Sequence, residues 1–227
     1  MKKLIFIFFA SLIFGCSGTE DPSSNPPDEI QIENQIQIEN QIWMKENLDL
    51  KTFRNGDPLF ESKTTEQWIQ LYLEKKPAYT VYLWKEGNED VFGIIYNYYA
   101  LIDPRGLAPE NWRIPTSTDY FDLVENNGGS NVASPKLMSQ NLWLIGKNGS
   151  NESGFNAKPG GQIWAGGTFT DINESIVFWT NSRSQQGDLI VFGIFSSLEE
   201  TGAFFSEISI KETLDRKGGF YIRCIKE

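Results

Sequence analysis

Hydrophobic and polar positions divide this chain into stretches of different period. Leu4 to Phe14 is apolar except for Ser11, and Ser17 to Asp28 then contains no apolar residue larger than proline. Next, Ile30, Ile32, Ile36, Ile38 and Ile42 all fall at even positions, a period of two that predicts strand. The hexapeptide QIENQI occurs at 31–36 and again at 37–42, with Glu33-Asn34 and Glu39-Asn40 as turn points. One or two short hairpins running into Trp43 follow from that pattern. Thr64-x-x-Gln67 is a capping-box spacing that predicts a helix through Trp68, Leu71 and Tyr72, ended by Pro77. A second helix follows Pro115, capped by Thr116 with Asp119 three residues on; it turns Tyr120, Leu123 and Val124 inward and stops at Gly128-Gly129. Beyond residue 140 the helical signal fades. Gly/Asn-rich stretches there alternate with short apolar runs, Ser175 to Trp179 and Leu189 to Phe195. The pattern predicts an α+β class with antiparallel strands, two main helices and long loops in the second half.

The first segment carries an address. Lys2 and Lys3 precede an apolar run of about a dozen residues, too short to span a bilayer, and Ile13-Phe14-Gly15-Cys16 closes it. This is the layout of a lipoprotein signal, with cleavage after Gly15 and acylation of Cys16. The bulk of Phe14 leaves open an ordinary secretory peptide with a chance cysteine; both readings export the rest. The expected organisation is a signal at 1–15, the lipidated cysteine and a solvated tether at 16–29, and one domain at 30–227. The expected partner is the membrane, reached through lipid on Cys16.

Composition narrows the chemistry. With 227 residues and a formal charge of −10, the chain becomes more acidic still when Lys2 and Lys3 leave with the signal. Nucleic acid and anionic membrane surfaces both require a basic patch, so neither is an expected partner. Histidine is absent, which removes the Ser-His-Asp triad, histidine-ligated metals and imidazole acid-base chemistry together. The only cysteines are Cys16 and Cys224. If the first carries lipid, the second has no intramolecular partner, and the alternation in GGFYIRCIKE places it on a terminal strand as a small buried apolar residue.

Phrases spread along the chain carry a resemblance: QIWMKENLDLKTFRNGD from Gln41, FGIIYNYYAL from Phe92, DPRGLAPENWRIPTSTDY from Asp103, ESGFNAKPGG from Glu152, and GGFYIRCIKE at the end. In this order they resemble the Fibrobacter succinogenes major paralogous domain family of exported proteins and lipoproteins. The resemblance implies a C-type-lectin-like fold related to the formylglycine-generating, sulfatase-modifying enzymes, and it implies no established activity. It also implies a cysteine where this chain has Ala108, near the position of Cys224, so a bridge found in many members cannot form here. Losing such a staple costs about 2–4 kcal/mol unless packing compensates. Glu20 and Asp21 after the lipidated cysteine partly resemble the surface-export signal of Bacteroidetes lipoproteins. An outer-membrane, cell-surface location is therefore expected, with the periplasmic side as the alternative.

Read physically, these motifs build scaffold. Trp112 and Ile114 enter the core, Pro115 stops a strand and Thr116 caps a helix, while Gly154, Gly160 and Gly161 permit unusual backbone around the anchor Phe155. A copper site of the sulfatase-modifying type needs a pair of thiolates, and only Cys224 is offered. The EPN, QPD and WND triplets of calcium-dependent lectins are missing, and Asp171, Asn173 and Glu174 in TDINES read as a polar loop rather than a calcium site. No catalytic residue, metal or cofactor is assigned. Asn148, Asn151 and Asn173 head sequons, which places them in exposed loops. What remains is binding. Residues 140–187 combine aromatic faces with planar amides, the pairing that suits a glycan or a protein surface. The candidate ligand residues are Trp164, Trp143, Asn148, Asn151, Gln162, Asn181 and Arg183, with Trp164 the most exposed and Trp179 assigned to the core. A degenerate relative of the sulfatase-modifying enzymes and a purely structural surface component are the alternatives.

Overall fold

In a computed structural model, residues 34–144, 146–164, 166–197, 201–208 and 218–227 are described. The signal, Cys16, the tether and the first copy of the repeat up to Glu33 lie outside the described residues. The second copy forms the predicted hairpin. Strands β1 (Gln35–Ile38) and β2 (Gln41–Met44) pair antiparallel with Ile38 opposite Gln41, so Glu39-Asn40 makes the turn and Glu39 takes a positive φ of 53°. The hairpin continues through β13 (Ile225–Lys226) to β6 (Trp112–Arg113), giving a four-stranded sheet in the order β1-β2-β13-β6.

A second sheet has nine strands. Its path runs β11 (Thr201–Ile208), β10 (Leu189–Ser196), β9 (Ser175–Arg183), β7 (Gly160–Ile163), β12 (Gly219–Phe220), β5 (Ile95–Asn97), β4 (Ala78–Thr80) and β3 (Phe60–Glu61), with β8 (Phe169–Ile172) beside β7. Most pairs are antiparallel as the sequence predicts. Two are parallel, β3 with β4 and β7 with β9, because in each case the connection between partners crosses back to the same end. The class is thus mixed α+β, with strands dominating beyond residue 140.

The C-terminal segment explains why its sequence is apolar on both phases of the alternation. From Gly218 to Ile225 every residue is buried, and the segment runs between two apolar clusters. Tyr221 and Ile225 join Trp43, Tyr120, Phe155 and Phe178 on one side; Phe220, Ile222 and Cys224 join Met44, Trp112 and Trp179 on the other. Cys224 is free and buried as expected, but it sits in the extended stretch just before β13 rather than within a strand; its carbonyl accepts from the Met44 amide at 3.0 Å. Ala108 lies in the same cluster as Cys224.

Both predicted helices form. Thr64 caps α1 (Thr65–Leu73) by accepting from the Gln67 amide, and Trp68 and Tyr72 are buried. In α4 (Ser117–Asn126) the Thr116 hydroxyl accepts from the Asp119 amide while Asp119 accepts back from the Thr116 amide, and Tyr120, Leu123 and Val124 face the core. Three further helices depart from the expectation: α2 (Asn88–Phe92), α3 (Tyr98–Leu101) and α5 (Ser130–Leu137). The last starts directly after Gly129 and contains Pro135, two signals that read as helix stops. Burial of Ala133 and Leu137 holds it instead.

The glycine motif also needs one correction. Gly154 and Gly161 have φ of 78° and 66°, as argued, but Gly160 has no positive φ. Its requirement is space, because a Cβ there would run into the Tyr221 hydroxyl. No helix among the described residues is long and apolar enough to cross a membrane.

Candidate functional site

The loop from 138 to 159 consumes several candidate residues in its own construction. Trp143 is 4% exposed and donates Nε1–H to the Ala157 carbonyl at 3.1 Å, so it belongs to the core and presents no face to a ligand, contrary to the expectation. Asn148 is exposed, and its Oδ1 accepts from the Trp143 amide at 3.2 Å. Asn151 Oδ1 accepts from the Asn156 amide at 2.8 Å, closing the turn around Gly154. Gln162, buried on β7, donates to Asp171 Oδ2 at 2.7 Å, which Thr170 Oγ1 also reaches at 2.7 Å. Asp171 and Asn173 form a tight turn, with Asn173 Nδ2 donating to the Leu142 carbonyl. Asn148, Asn151 and Asn173 thus satisfy backbone groups of the loop, while Gln162 is spent on the Asp171 side chain. Trp179, assigned to the core, is there, with Nε1–H on the Tyr96 carbonyl at 2.8 Å.

Trp164 is 39% exposed and opens the turn between β7 and β8. Its amide donates to the Thr168 carbonyl and its carbonyl accepts from Gly167, both at 2.8 Å. Gly167 lies against Thr65, whose hydroxyl donates to the Gly167 carbonyl at 3.2 Å, so the turn is docked on the start of α1.

Asn181 and Arg183 do come together. Both lie on β9 where its ladder with β10 breaks: Trp179 pairs with Val191 and Arg183 with Leu189, so four steps on one strand face two on the other. The surplus residues Thr180 to Ser182 form a bulge, the device by which a strand re-aims a side chain. Three bonds pin it. Thr180 Oγ1 donates to the Ile190 carbonyl at 2.6 Å, the Asn181 amide donates to the Pro115 carbonyl at 2.7 Å, and Ser182 Oγ accepts from the Ser117 amide at 2.9 Å. The start of α4 thus fixes the bulge.

Beside it opens a cleft of about 280 Å³, lined by Asn181, Arg183, Leu189, Leu101, Ile102 and Asp103 among others. Leu101 ends α3, and Asp103 follows it. Arg183 donates one N–H to the Gly187 carbonyl at 3.0 Å; its other donors and the whole Asn181 carboxamide have no partner among the described residues. Asp103 is held differently. Arg105 donates Nε–H to its Oδ1 and Nη2–H to its Oδ2, each at 2.9 Å, and those bonds hold the carboxyl below its ordinary pKa. Arg105 also reaches Asp57 at 2.9 Å and stacks over Phe53 with its carbon 4.0 Å from the ring centre. The FRNGD and DPRG phrases are therefore one clamp, and that clamp forms a wall of the cleft.

The sequence reading missed Ile102 and Asp103. The signal available was the DPRG turn after an apolar run, which marks a helix end but not what it faces. Among the described residues no group of three or more acidic, cysteine or histidine side chains could hold a metal ion.

No curated protein and no solved structure matches this chain. The Fibrobacter succinogenes major domain matches it over residues 36–226, nearly the whole of the described fold. The chain belongs to the Fibrobacter succinogenes major domain family.

Proposed function

We propose that this protein is a non-catalytic recognition domain of C-type-lectin-like fold, exported and held at the outer membrane by lipid on Cys16, and that it binds carbohydrate in the cleft beside the β9 bulge. The observation that carries the reading is the bulge itself. Its bonds to Pro115 and Ser117 fix the backbone at Asn181, leaving that carboxamide and most of Arg183 unpartnered at the edge of a cleft. Rigid backbone under unsatisfied planar donors suits hydroxyl recognition, because little backbone entropy is then lost on binding. Glycoside hydrolysis requires two opposed carboxylates, and the cleft lining contributes only Asp103, already bonded to Arg105. The lectin-like assignment draws on the family resemblance and on the strand-rich second half with its long loop at 138–159.

Two experiments test this. The mature chain, extracted in detergent, is screened against immobilised glycans and surface proteins, with Asn181→Ala and Trp164→Ala in parallel. Glycan retention lost in Asn181→Ala at unchanged melting supports the reading. Retention lost only in Trp164→Ala would move the surface to the β7–β8 turn, and retention of proteins alone would replace carbohydrate by a protein partner. For the anchor, fatty-acid labelling should depend on Cys16 and vanish in Cys16→Ser; labelling that survives the substitution would refute it.

A further inference from the structure

We infer that the cleft selects an acidic sugar, with the carboxylate of a uronic acid on Arg183 and its hydroxyls on Asn181. This inference rests on the cleft being the binding site. The starting point is an imbalance: on a chain of formal charge −10, a cation stands at a recognition cleft without an acid partner. The other described arginines are all engaged. Arg105 and Arg113 are held by carboxylates, Arg54 donates to the Ala108, Pro109 and Trp112 carbonyls, and Arg223 is buried on Asn47 and Phe155. Arg183 is exposed and gives a single N–H, from Nη1 to Gly187. That bond ties the guanidinium to its own hairpin and leaves Nε and Nη2, one edge of the fork, open to a carboxylate in bidentate geometry.

The rest of the cleft fits the body of such a sugar. Asp103 would ordinarily repel an anion, but Arg105 bonds both of its oxygens and compensates its charge, while the oxygens keep lone pairs for a hydroxyl. The half-exposed Ile102 provides an apolar face for the C–H side of the ring, with Leu189 buried behind the cleft. The Asn181 carboxamide both donates and accepts, which suits a hydroxyl but adds nothing to the attraction of a carboxylate. Charge selection therefore falls on Arg183 alone.

The test is calorimetric titration of the mature chain with glucuronic acid, its neutral amide, glucose and a glucose sulfate. The expected result is that glucuronic acid binds at least about tenfold more tightly than the amide or glucose, since a charged hydrogen-bonded contact is being removed. Arg183→Gln should abolish that preference, Arg183→Lys should restore part of it, and added salt should weaken only the acid. Each variant is melted alongside the parent, and being an exposed change it should melt at the same temperature. If the acid and neutral sugars bind equally and both are lost in Asn181→Ala, the acidic class is wrong and the cleft reading stands. Preference for the sulfate ester overturns the carboxylate. Binding of the sugars that survives both Asn181→Ala and Arg183→Gln overturns the site itself.

Discussion

Arg223 is a fully buried cation that makes no ion pair among the described residues. Its guanidinium stacks over Phe155 at 4.5 Å from the ring centre and donates to Asn47 Oδ1 from Nε at 2.9 Å and from Nη2 at 2.6 Å, with Nη1 on the Phe155 carbonyl. Burial brings its pKa down to about 10. The arginine tethers the loop at Asn47 and the SGFN turn to the C-terminal segment, and so ties three of the phrases on which the family resemblance rests. Its neighbour Cys224 has its thiol pushed up to about 12 by burial. The native protein should therefore react slowly with a thiol reagent at neutral pH; rapid labelling would place Cys224 at the surface. Because that pKa is raised on folding from about 9, the thiol's share of stability is complete below about pH 9 and disappears as pH rises toward 12. Tyr96, Tyr120 and Tyr221 are raised by burial as well and act in the same direction, so alkaline titration should show unfolding and exposure of these groups together. Ala108 shares the cluster of Cys224, and Ala108→Cys should close a disulfide under oxidation and raise the melting temperature. Two thiols still titratable after oxidation would show that the pair is not adjacent.

Among elements, α4 links scaffold to cleft. Asp119 closes the capping box and also takes a fork from Arg113, with Nη1 at 2.6 Å and Nη2 at 2.8 Å. Burial raises its pKa, but the hydrogen bonds from Arg113 and Thr116 and the charge of Arg113 outweigh this and bring it to about 2. Since the value is lowered on folding, its stabilisation is present above about pH 4 and lost as pH falls toward 2. Asp119→Asn should cost roughly 1–2 kcal/mol at neutral pH and flatten the acid limb of the stability profile, measured by denaturant melts between pH 2 and 7. An unchanged acid limb would remove Asp119 from that role. The helix was legible in the sequence because its cap and apolar spacing are local. The short helices α2 and α3 carry too few turns for a period to emerge, and α5 is written through a proline. The bulge was not legible either: SIVFWTNSR reads as one apolar run ending in polar residues, and the contacts that fix its backbone come from Ile190, Pro115 and Ser117, the last two distant in sequence.

At the scale of the whole molecule, one buried C-terminal segment separates two apolar clusters and closes both sheets, pairing with β5 and β7 through Gly219-Phe220 and with β2 and β6 through Ile225-Lys226. Mixed α+β character and the hairpins of the second half could be read from periodicity, whereas the parallel contacts β3–β4 and β7–β9 depend on how distant segments return. The candidate site divides along the same line. Asn181 and Arg183 were identified from residue type, but Trp143 and Gln162 have those same properties and are buried in service of the loop and β7. Residue type names what can bind, and burial decides what does. The central claim is that the bulge cleft is the ligand site, and a crystal structure of the mature chain grown with a glucuronic-acid disaccharide tests it most directly. The predicted result is sugar density with its carboxylate on Arg183 and a hydroxyl on Asn181. Density stacked on Trp164, with nothing against Asn181 or Arg183, would contradict the account.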